Sequence, residues 1–334
     1  MRFGRVVVTG GAGFIGSHLC DYFTEMGAEV LCVDNFSSGR MENLEISLSS
    51  GRLRVESVDV SESCDISGPV DAVLHLASPA SPADYLSIPV ETMRAGSLGT
   101  FRALDLARRK GARFLFASTS ETYGNPQVHP QHEEYWGNTN PVGPRSVYDE
   151  SKRFSEALTM AYRRTYGVDT AIIRIFNTFG PRMRQGDGRA IPSFITQALA
   201  GEPLTITGDG TQSRSFCYVD DLVSGIVRML ESDLAGPVNL GNPEELTIAE
   251  VATLIRELTG STSPLIFVDR PEDDPDLRCP DISLARRLLG WEPSVSVEAG
   301  IKRAVDWFRE TGSGAGKSPD QFVPAWVASK ENLP

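Results

Sequence analysis

Residues 147–152 contain a tyrosine and a lysine four positions apart. On a helix this spacing places Tyr148 and Lys152 one turn apart on the same face. A tyrosine that takes a proton from an alcohol near neutral pH needs its pKa, normally about 10, to be lowered, and a nearby ammonium group has that effect. The pair therefore indicates oxidation of a hydroxyl group coupled to hydride transfer. Because Tyr-x-x-x-Lys also occurs by chance on amphipathic helices, the interpretation depends on features elsewhere in the chain.

A glycine-rich turn near the start of the chain joins a strand-like run to a helix-like pattern. Residues 6–9 are apolar and β-branched, and apolar residues at helical spacing follow the turn. Glycines let the backbone approach a pyrophosphate closely, and the free N–H groups of the helix N-terminus bind its charge. The residues expected to bind a dinucleotide here are Gly10, Gly13, Phe14, Ile15 and Gly16.

An acidic residue, Asp34, ends the second strand-like run about twenty residues beyond the glycine turn. A carboxylate at this place accepts hydrogen bonds from the adenosine ribose hydroxyls and repels a 2′-phosphate. The sequence therefore predicts NAD as the cofactor, with Asn35, Gly39 and Arg40 beside it. Arg40 leaves NADP as a minor alternative.

Three further strand-like runs lead to residues that could contact the cofactor or the reacting atoms. Ligands of open α/β sheets bind beyond the carboxyl ends of the strands. The residues at these ends are Asp59 and Val60, then Leu76, Ala77 and Ser78, and finally Thr119, Ser120 and Glu121. The first two groups are expected at the cofactor and the last group at the reacting atoms. The alternative is that Thr119 and Ser120 only cap the following turn.

The composition is that of a globular protein of 334 residues, with 40% hydrophobic residues and a formal net charge of −12. A nucleic acid or an anionic membrane would require a basic surface, so neither is an expected partner. The apolar run after Arg5 is too short for a signal sequence or a membrane span. Since the five cysteines show no paired spacing, we expect no disulfide and a reducing, cytoplasmic location.

No metal site is expected from the spacing of potential ligands. His129 and His132 are three residues apart, but Pro130 lies between them and no other ligand is near in the sequence. A pair of loop histidines is the simpler interpretation.

The segment from Arg174 to Arg214 reverses the acidic balance of the chain. Its basic residues are Arg174, Arg182, Arg184, Arg189 and Arg214, against Asp187, Glu202 and Asp209. Arginine forks suit diphosphate oxygens, and Arg214 follows a glycine-rich turn that can approach a ligand. The alternative for any single arginine is an ordinary solvated surface.

These patterns predict an α/β protein with a Rossmann-type, doubly wound parallel sheet and a smaller α/β substrate-binding domain. The expected NAD-binding domain comprises residues 1–176 and about 211–236. The nucleotide-sugar-binding domain comprises about 177–210 and 237–310, and residues 311–334 form a tail.

From Val6 to about Phe308 the chain resembles the extended short-chain dehydrogenase/reductases and, within that group, the UDP-glucuronate decarboxylases. The stretches that carry the resemblance are residues 75–82 (HLASPASP), 119–124 (TSETYG) with 129–131 (HPQ), 138–145 (NTNPVGPR), 177–183 (NTFGPRM) and 278–282 (RCPDI). Two residues depart from the family pattern: Cys279 stands where a basic residue is common, and Thr122 where valine is common.

The resemblance implies a fold, an activity and a set of site residues. Thr119, Glu121, Tyr148 and Lys152 would be catalytic, with Ser120 assisting, and Tyr148 and Lys152 would also contact NAD. Asn177, Arg182, Arg214 and Arg278 would hold a UDP-sugar. We also expect Arg189 and Tyr218 at the substrate. The implied reaction oxidises C4 of UDP-glucuronate, releases carbon dioxide and reduces C4 again to give UDP-xylose. A homodimer paired through the helices near residues 97–110 and 145–165 is also implied.

Two related reactions and one non-catalytic role remain as alternatives. A 4,6-dehydratase needs an acid to expel the 6-hydroxyl, and Ser120 is poorly suited to that task. A 4-epimerase has no evident use for Glu121. An NAD-binding sensor would not need Thr119, Tyr148 and Lys152 together.

Overall fold

The computed structural model describes residues 2–270 and 277–312. The strands are β1 (Arg5–Thr9), β2 (Glu29–Asp34), β3 (Leu53–Ser57), β4 (Ala72–His75), β5 (Arg113–Thr119), β6 (Thr170–Ile175), β7 (Thr178–Phe179), β8 (Leu204–Thr207), β9 (Ser213–Ser215), β10 (Cys217–Tyr218), β11 (Val238–Leu240), β12 (Glu245–Thr247), β13 (Leu265–Val268) and β14 (Leu277–Arg278). The α-helices are α1 (Phe14–Glu25), α2 (Glu45–Ser49), α3 (Pro82–Ser87), α4 (Pro89–Arg94), α5 (Thr100–Lys110), α6 (Ser146–Tyr166), α7 (Ala190–Ala200), α8 (Val219–Glu231), α9 (Ile248–Thr259), α10 (Ser283–Leu289) and α11 (Val297–Gly312). Short 3₁₀ segments cover Met41–Leu44 and Ser120–Tyr123, and a π-helical turn covers Ala95–Gly99.

Seven parallel strands form the central sheet, in the order β11-β6-β5-β4-β1-β2-β3. Alternate residues of one strand face different cores: Val6 and Val8 pack with helices α1 and α8, whereas Val7 packs with α5 and the end of α6. Apolar side chains on both faces of a strand are what a sheet covered by helices on both sides requires. The predicted Rossmann-type fold is confirmed.

The smaller unit carries short sheets and two packed helices. Strands β12, β9 and β14 form one sheet, and β13 pairs with β8. In the first of these sheets Arg214 and Arg278 lie directly opposite each other. The sheet therefore brings together two arginines that are far apart in the sequence.

Two strands differ from the expected division of the chain. β11 was expected in the smaller domain, but it is the edge strand of the large sheet, where Val238 and Leu240 are buried beside β6. β9 was expected in the NAD-binding domain, but it pairs with β12 and β14. Both runs are short, and the partner that buries them lies far away in sequence. The remaining boundaries stay a prediction.

The C-terminal helix α11 extends into the expected tail as far as Gly312. Residues 313–334, the rest of that tail, lie outside the described residues. None of the described helices combines the length and apolar composition that a membrane crossing requires.

Candidate active site

A cavity of about 1530 Å³ extends from the carboxyl ends of the large sheet to the smaller unit. The predicted cofactor residues that line it are Gly10, Gly13, Phe14, Ile15, Gly16, Asp34, Asn35, Asp59, Val60, Leu76, Ala77, Ser78, Tyr148 and Lys152. The other predicted site residues along its wall are Thr119, Ser120, Glu121, Asn177, Arg182, Arg189, Arg214 and Arg278. One continuous cavity is thus lined by most of the predicted site residues.

The glycine turn has the shape that a bound pyrophosphate needs. A Cβ atom on Gly16 would lie 2.1 Å from the carbonyl oxygen of Gly10, so a side chain cannot fit there. Gly10 has a φ of 70°, and its added Cβ would lie 2.8 Å from the backbone nitrogen of Ala77. Helix α1 begins directly after this turn, with its free N–H groups at the cavity. These residues fit a dinucleotide.

Asp34 is held in place by backbone hydrogen bonds at the end of β2. Its carboxylate accepts from the N–H of Ala12 at 2.9 Å and from the N–H of Phe36 at 2.8 Å. Burial raises the pKa of this carboxyl above its usual range. Beside it, Asn35 donates from Nδ2 to Asp59 at 3.0 Å. This arrangement fits the ribose hydroxyls of NAD, because hydroxyl donors would complete the hydrogen bonding of a partly desolvated carboxylate.

Gly39 and Arg40 do not line the cavity, contrary to the prediction. Gly39 packs closely against Ala12 and Asp34, where an added Cβ would lie 2.9 Å from each. The N–H of Arg40 donates to the carbonyl of Ala12, and the residue itself is exposed. Both residues therefore support the glycine turn from outside.

Tyr148 and Lys152 lie on one face of helix α6, as their spacing predicts, and both are buried. The ring of Tyr148 stacks on Tyr85, with centroids 5.1 Å apart and an interplanar angle of 5°. The Lys152 ammonium lies 5.7 Å from the Tyr148 ring centroid and donates to the carbonyl of Ala117 at 2.8 Å. Burial lowers the pKa of Lys152 to about 8.

The pKa of Tyr148 differs from the expectation. Burial raises it, and the negative charge of Glu121 adds to that effect, while a hydrogen bond with Thr119 opposes both. The expected lowering by Lys152 is not found, because burial of the phenol dominates. Tyr148 is therefore a protonated phenol here, with its hydroxyl beside Thr119.

Glu121 lies between two guanidinium groups. Its carboxylate accepts from Arg145 at 2.8 Å and also from Arg278. Burial alone would raise the pKa of Glu121, but these two positive charges outweigh it and lower the pKa to about 2. Glu121 is thus a carboxylate at neutral pH that holds Arg145 and Arg278 at the same end of the cavity.

Three buried donors along the cavity wall have no hydrogen-bond partner among the described residues. They are the hydroxyl of Tyr85, Nη1 of Arg182 and Nε of Arg278. Burying an unsatisfied polar group costs about 1–3 kcal/mol, and more for a charged group. The wall of the cavity is therefore rich in hydrogen-bond donors.

The remaining predicted substrate residues differ in their surroundings. Arg189 forms an ion pair with Asp187, with 2.7 Å between Nη2 and Oδ2, and its charge lowers the pKa of Tyr148. Asn177 lies just after β6, and Arg214 lies on β9. Each of these three residues lines the cavity.

Tyr218, predicted to bind the substrate, lies away from the cavity. It is buried in the protein core, where its ring lies 5.8 Å from that of Phe179 and under the guanidinium of Arg303. It does not line the cavity. The strand β10 turns its ring toward α11, a direction that the sequence does not reveal.

Tyr85 and Arg145 were not assigned a role from the sequence, although both line the cavity. Arg145 ends the motif at residues 138–145 and directly precedes helix α6. Tyr85 lies in the short helix α3 that follows the turn after β4. Only their positions next to predicted site segments indicate from the sequence that these two residues belong to the site.

Curated relatives of the chain are decarboxylases of a nucleotide sugar. It is 50% identical over 320 residues to UDP-glucuronic acid decarboxylase 1 of Xenopus tropicalis, covering 96% of this chain and 75% of that protein. UDP-glucuronic acid decarboxylase 1 of Arabidopsis thaliana is 50% identical over 305 residues, with 91% and 70% covered.

Similar solved structures include enzymes with bound UDP-sugars. A UDP-glucose 4-epimerase of Thermotoga maritima with UDP-glucose has a TM-score of 0.84 at 30% identity, covering 92% of this chain and 99% of that one. A UDP-glucuronic acid 4-epimerase of Bacillus cereus, in complex with UDP-glucuronic acid and NAD, has a TM-score of 0.81 at 27% identity, again with 92% and 99% covered. Residues 6–241 also match the model of the NAD dependent epimerase/dehydratase family. Because this family model matches most of the chain and the curated relatives align along nearly its whole length, the chain belongs to the NAD dependent epimerase/dehydratase family.

Proposed function

We propose that this protein converts UDP-glucuronate to UDP-xylose with NAD as a recycled cofactor. The observation that carries the proposal is that Arg182, Arg189, Arg214 and Arg278 line the same cavity as Tyr148. A UDP-uronic acid has a diphosphate and a carboxylate to pair with these guanidinium groups. The chain is also 50% identical, over more than 90% of its length, to relatives that are named for this activity.

The reaction begins at the sugar C4 hydroxyl. NAD, held by the glycine turn and Asp34, would supply the hydride acceptor for C4 and the hydride that reduces C4 again. Tyr148 takes the proton of the hydroxyl group, and Lys152, as an ammonium beside its ring, favours the phenolate. Thr119 donates a hydrogen bond to the same oxygen and orients it.

Decarboxylation follows from the position of the new ketone. With C4 oxidised, the C6 carboxylate is β to a carbonyl, so the C5–C6 bond breaks and its electron pair enters an enolate. Protonated Tyr148 and Thr119 stabilise the oxygen of that enolate by hydrogen bonds. Glu121 orders the water or donor group that returns a proton to C5, because as an ion it cannot supply the proton itself.

The arginines divide between the two ends of the substrate. Arg182, Arg189 and Arg214 would bind the diphosphate, for which guanidinium forks are suited. Arg278 and Arg145, held by Glu121, would lie at the carboxylate end. Release of carbon dioxide removes the negative group from that end.

Substrate choice tests the proposal against the dehydratase. Purified protein with NAD is incubated separately with UDP-glucuronate, UDP-glucose and dTDP-glucose, and the products are identified by liquid chromatography with mass spectrometry. We expect conversion of UDP-glucuronate alone, with the mass loss of one carbon dioxide. A 4-keto-6-deoxy sugar from either glucose nucleotide would support the dehydratase instead, and no turnover of any of the three would favour the non-catalytic sensor.

We also propose a homodimer. Large apolar side chains are exposed together on helices α4, α5 and α6 and the π-helical turn, namely Val90, Met93, Leu98, Phe101 and Phe154. The rings of Phe101 and Phe154 lie 6.1 Å apart on adjacent helices. Large exposed apolar side chains on neighbouring helices are typical of a protein interface, and the same surface of a second copy would cover them.

The cytoplasm is the proposed location. The five cysteines are all free thiols and all buried. Reducing compartments maintain cysteines in this state.

A further inference from the structure

We infer that His129, Glu245 and Cys279 form a binding site for a zinc ion, outside the cavity of the active site. A ring nitrogen of His129, a carboxylate oxygen of Glu245 and Sγ of Cys279 all lie within 4.8 Å of one another. They come from three separate segments: the loop before α6, strand β12 and the residue after strand β14. Their sequence spacing therefore shows no metal motif.

The donor set suits zinc. Zinc binds thiolate sulfur at about 2.3 Å, and imidazole nitrogen and carboxylate oxygen at about 2.0–2.2 Å. These bond lengths place the ligand atoms of a tetrahedral ion about 3.3–3.6 Å apart. Movements of about 1 Å would bring the three atoms to those positions. The His129 and Glu245 side chains are 36% and 30% exposed, so they can make this adjustment and leave room for a water as fourth ligand.

Neighbouring groups already orient the three side chains. The backbone of Cys279 is tied to the histidine loop, since its N–H donates to Gln131 Oε1 at 2.9 Å and its carbonyl accepts from the Gln131 N–H at 2.9 Å. Glu245 accepts from Ser213 through one oxygen, at 2.5 Å, and its other oxygen lies 2.9 Å from His129. Such supporting contacts commonly orient metal ligands.

Charge balance favours the same ion. Zinc would bind the thiolate, and the thiol proton would be released to solvent. The thiolate, the carboxylate and the neutral imidazole then balance the two positive charges of the ion.

The site would connect to the substrate cavity through the backbone. Arg278 immediately precedes Cys279 and reaches Glu121 and the carbonyl of Gly124. A metal that joins β12, β14 and the histidine loop would hold this arginine in place and stabilise the smaller unit against unfolding.

Metal titration of the full chain, without a polyhistidine tag and after treatment with a chelator, tests the inference. We expect one zinc ion per chain by calorimetry. Cobalt should bind at the same place and give the strong near-ultraviolet charge-transfer band of a cobalt-bound thiolate. Zinc should also raise the thermal midpoint.

Variants distinguish zinc binding at this site from non-specific binding elsewhere on the protein. Cys279→Ser should abolish the cobalt absorption, and both Cys279→Ser and His129→Gln should weaken zinc binding at least ~10-fold. His132→Gln, a histidine of the same loop outside the cluster, should bind as the original protein does. Cobalt binding without the thiolate absorption, or unchanged zinc affinity in His129→Gln, would overturn the inference. Since Cys279 is buried, His129→Gln decides the question if Cys279→Ser does not fold. No substrate is used, so the result is independent of the proposed reaction.

Discussion

At the scale of single residues, Tyr148 carries the largest part of the proposed chemistry. It is buried against Tyr85 with its hydroxyl beside Thr119, and burial favours its protonated form. A bound substrate must therefore change the surroundings of the phenol before it can act as a base. The guanidinium of Arg189 lowers the pKa of the phenol, and the ammonium of Lys152 lies 5.7 Å from its ring centroid.

Replacing Tyr148 with phenylalanine should remove turnover while leaving the fold intact. The ring stacking on Tyr85 is retained, but the proton acceptor is lost, and a general base contributes typically 10²–10⁴-fold. The rate of UDP-xylose formation and the thermal midpoint are to be measured. Tyr166→Phe, at an exposed position on the same helix, is the matched control and should keep full activity. An active Tyr148→Phe variant would refute the assigned role.

Arg182 provides a second test, directed at binding. Its Nη1 has no partner among the described residues, while Nη2 pairs with Asp21. Arg182→Gln should raise the Kd of UDP by about 10–150-fold, the value of one charged hydrogen bond of about 1.5–3 kcal/mol. Asp21→Asn removes the ion pair but keeps the guanidinium, so calorimetry should find its UDP affinity nearly unchanged. Equal losses in both variants would mean that Arg182 only supports the structure.

Local spacing predicted part of the site and missed the rest for a physical reason. Tyr148 and Lys152 share a helix face, and the glycine turn determines its own geometry, so both could be predicted from neighbouring residues. Tyr85 and Arg145 act together with Glu121 because distant segments converge. The direction of the Tyr218 side chain could not be predicted either, because it depends on packing against α11.

At the scale of elements, helix α1 supports the turn that carries Arg182. His18 on α1 donates from Nε2 to the carbonyl of Pro181 at 3.2 Å. Arg182 itself has a φ of 71°, an uncommon conformation for a residue with a side chain. The cofactor side and the substrate side of the cavity are therefore joined at this contact.

The contact should make stability depend on pH. Burial, and then the charge of Arg182, lower the pKa of His18 from 6.5 to about 4. The unfolded chain takes up the proton first as pH falls, so stability is lost between about pH 6.5 and pH 4. From pH 7 to pH 5 the free energy of unfolding should fall by about 1–2 kcal/mol less in His18→Gln than in the original protein. Urea unfolding at both pH values checks this, and equal losses with and without the histidine would contradict it.

Element identity was predictable where a strand is long and apolar, and less so for short runs. β5 is buried along its whole length and was expected in the large sheet. β9 and β11 have three residues each, so their sheet is decided by distant partners. The pairing of Arg214 with Arg278 in the smaller sheet could not be foreseen for the same reason.

At the scale of the whole molecule, the apolar patch on α4–α6 should hold two copies together. Light scattering should give about twice the chain mass of 36.3 kDa. Phe101→Glu combined with Phe154→Glu should shift the mass to that of one chain, because charges would be buried in the interface. Ile46→Glu, at an exposed apolar position on α2, should leave the mass unchanged. A single-chain mass of the original protein would contradict the dimer.

The most direct test of the proposed reaction follows two labelled atoms of one substrate. UDP-glucuronate with carbon-13 at C6 and deuterium at C4 is incubated with the protein and NAD, and the products are followed by NMR and mass spectrometry. We predict that the amount of labelled carbon dioxide equals the amount of UDP-xylose, that the deuterium remains at C4, and that no NADH accumulates. A product that keeps the labelled carboxylate with C4 inverted would identify a 4-epimerase and contradict the proposal.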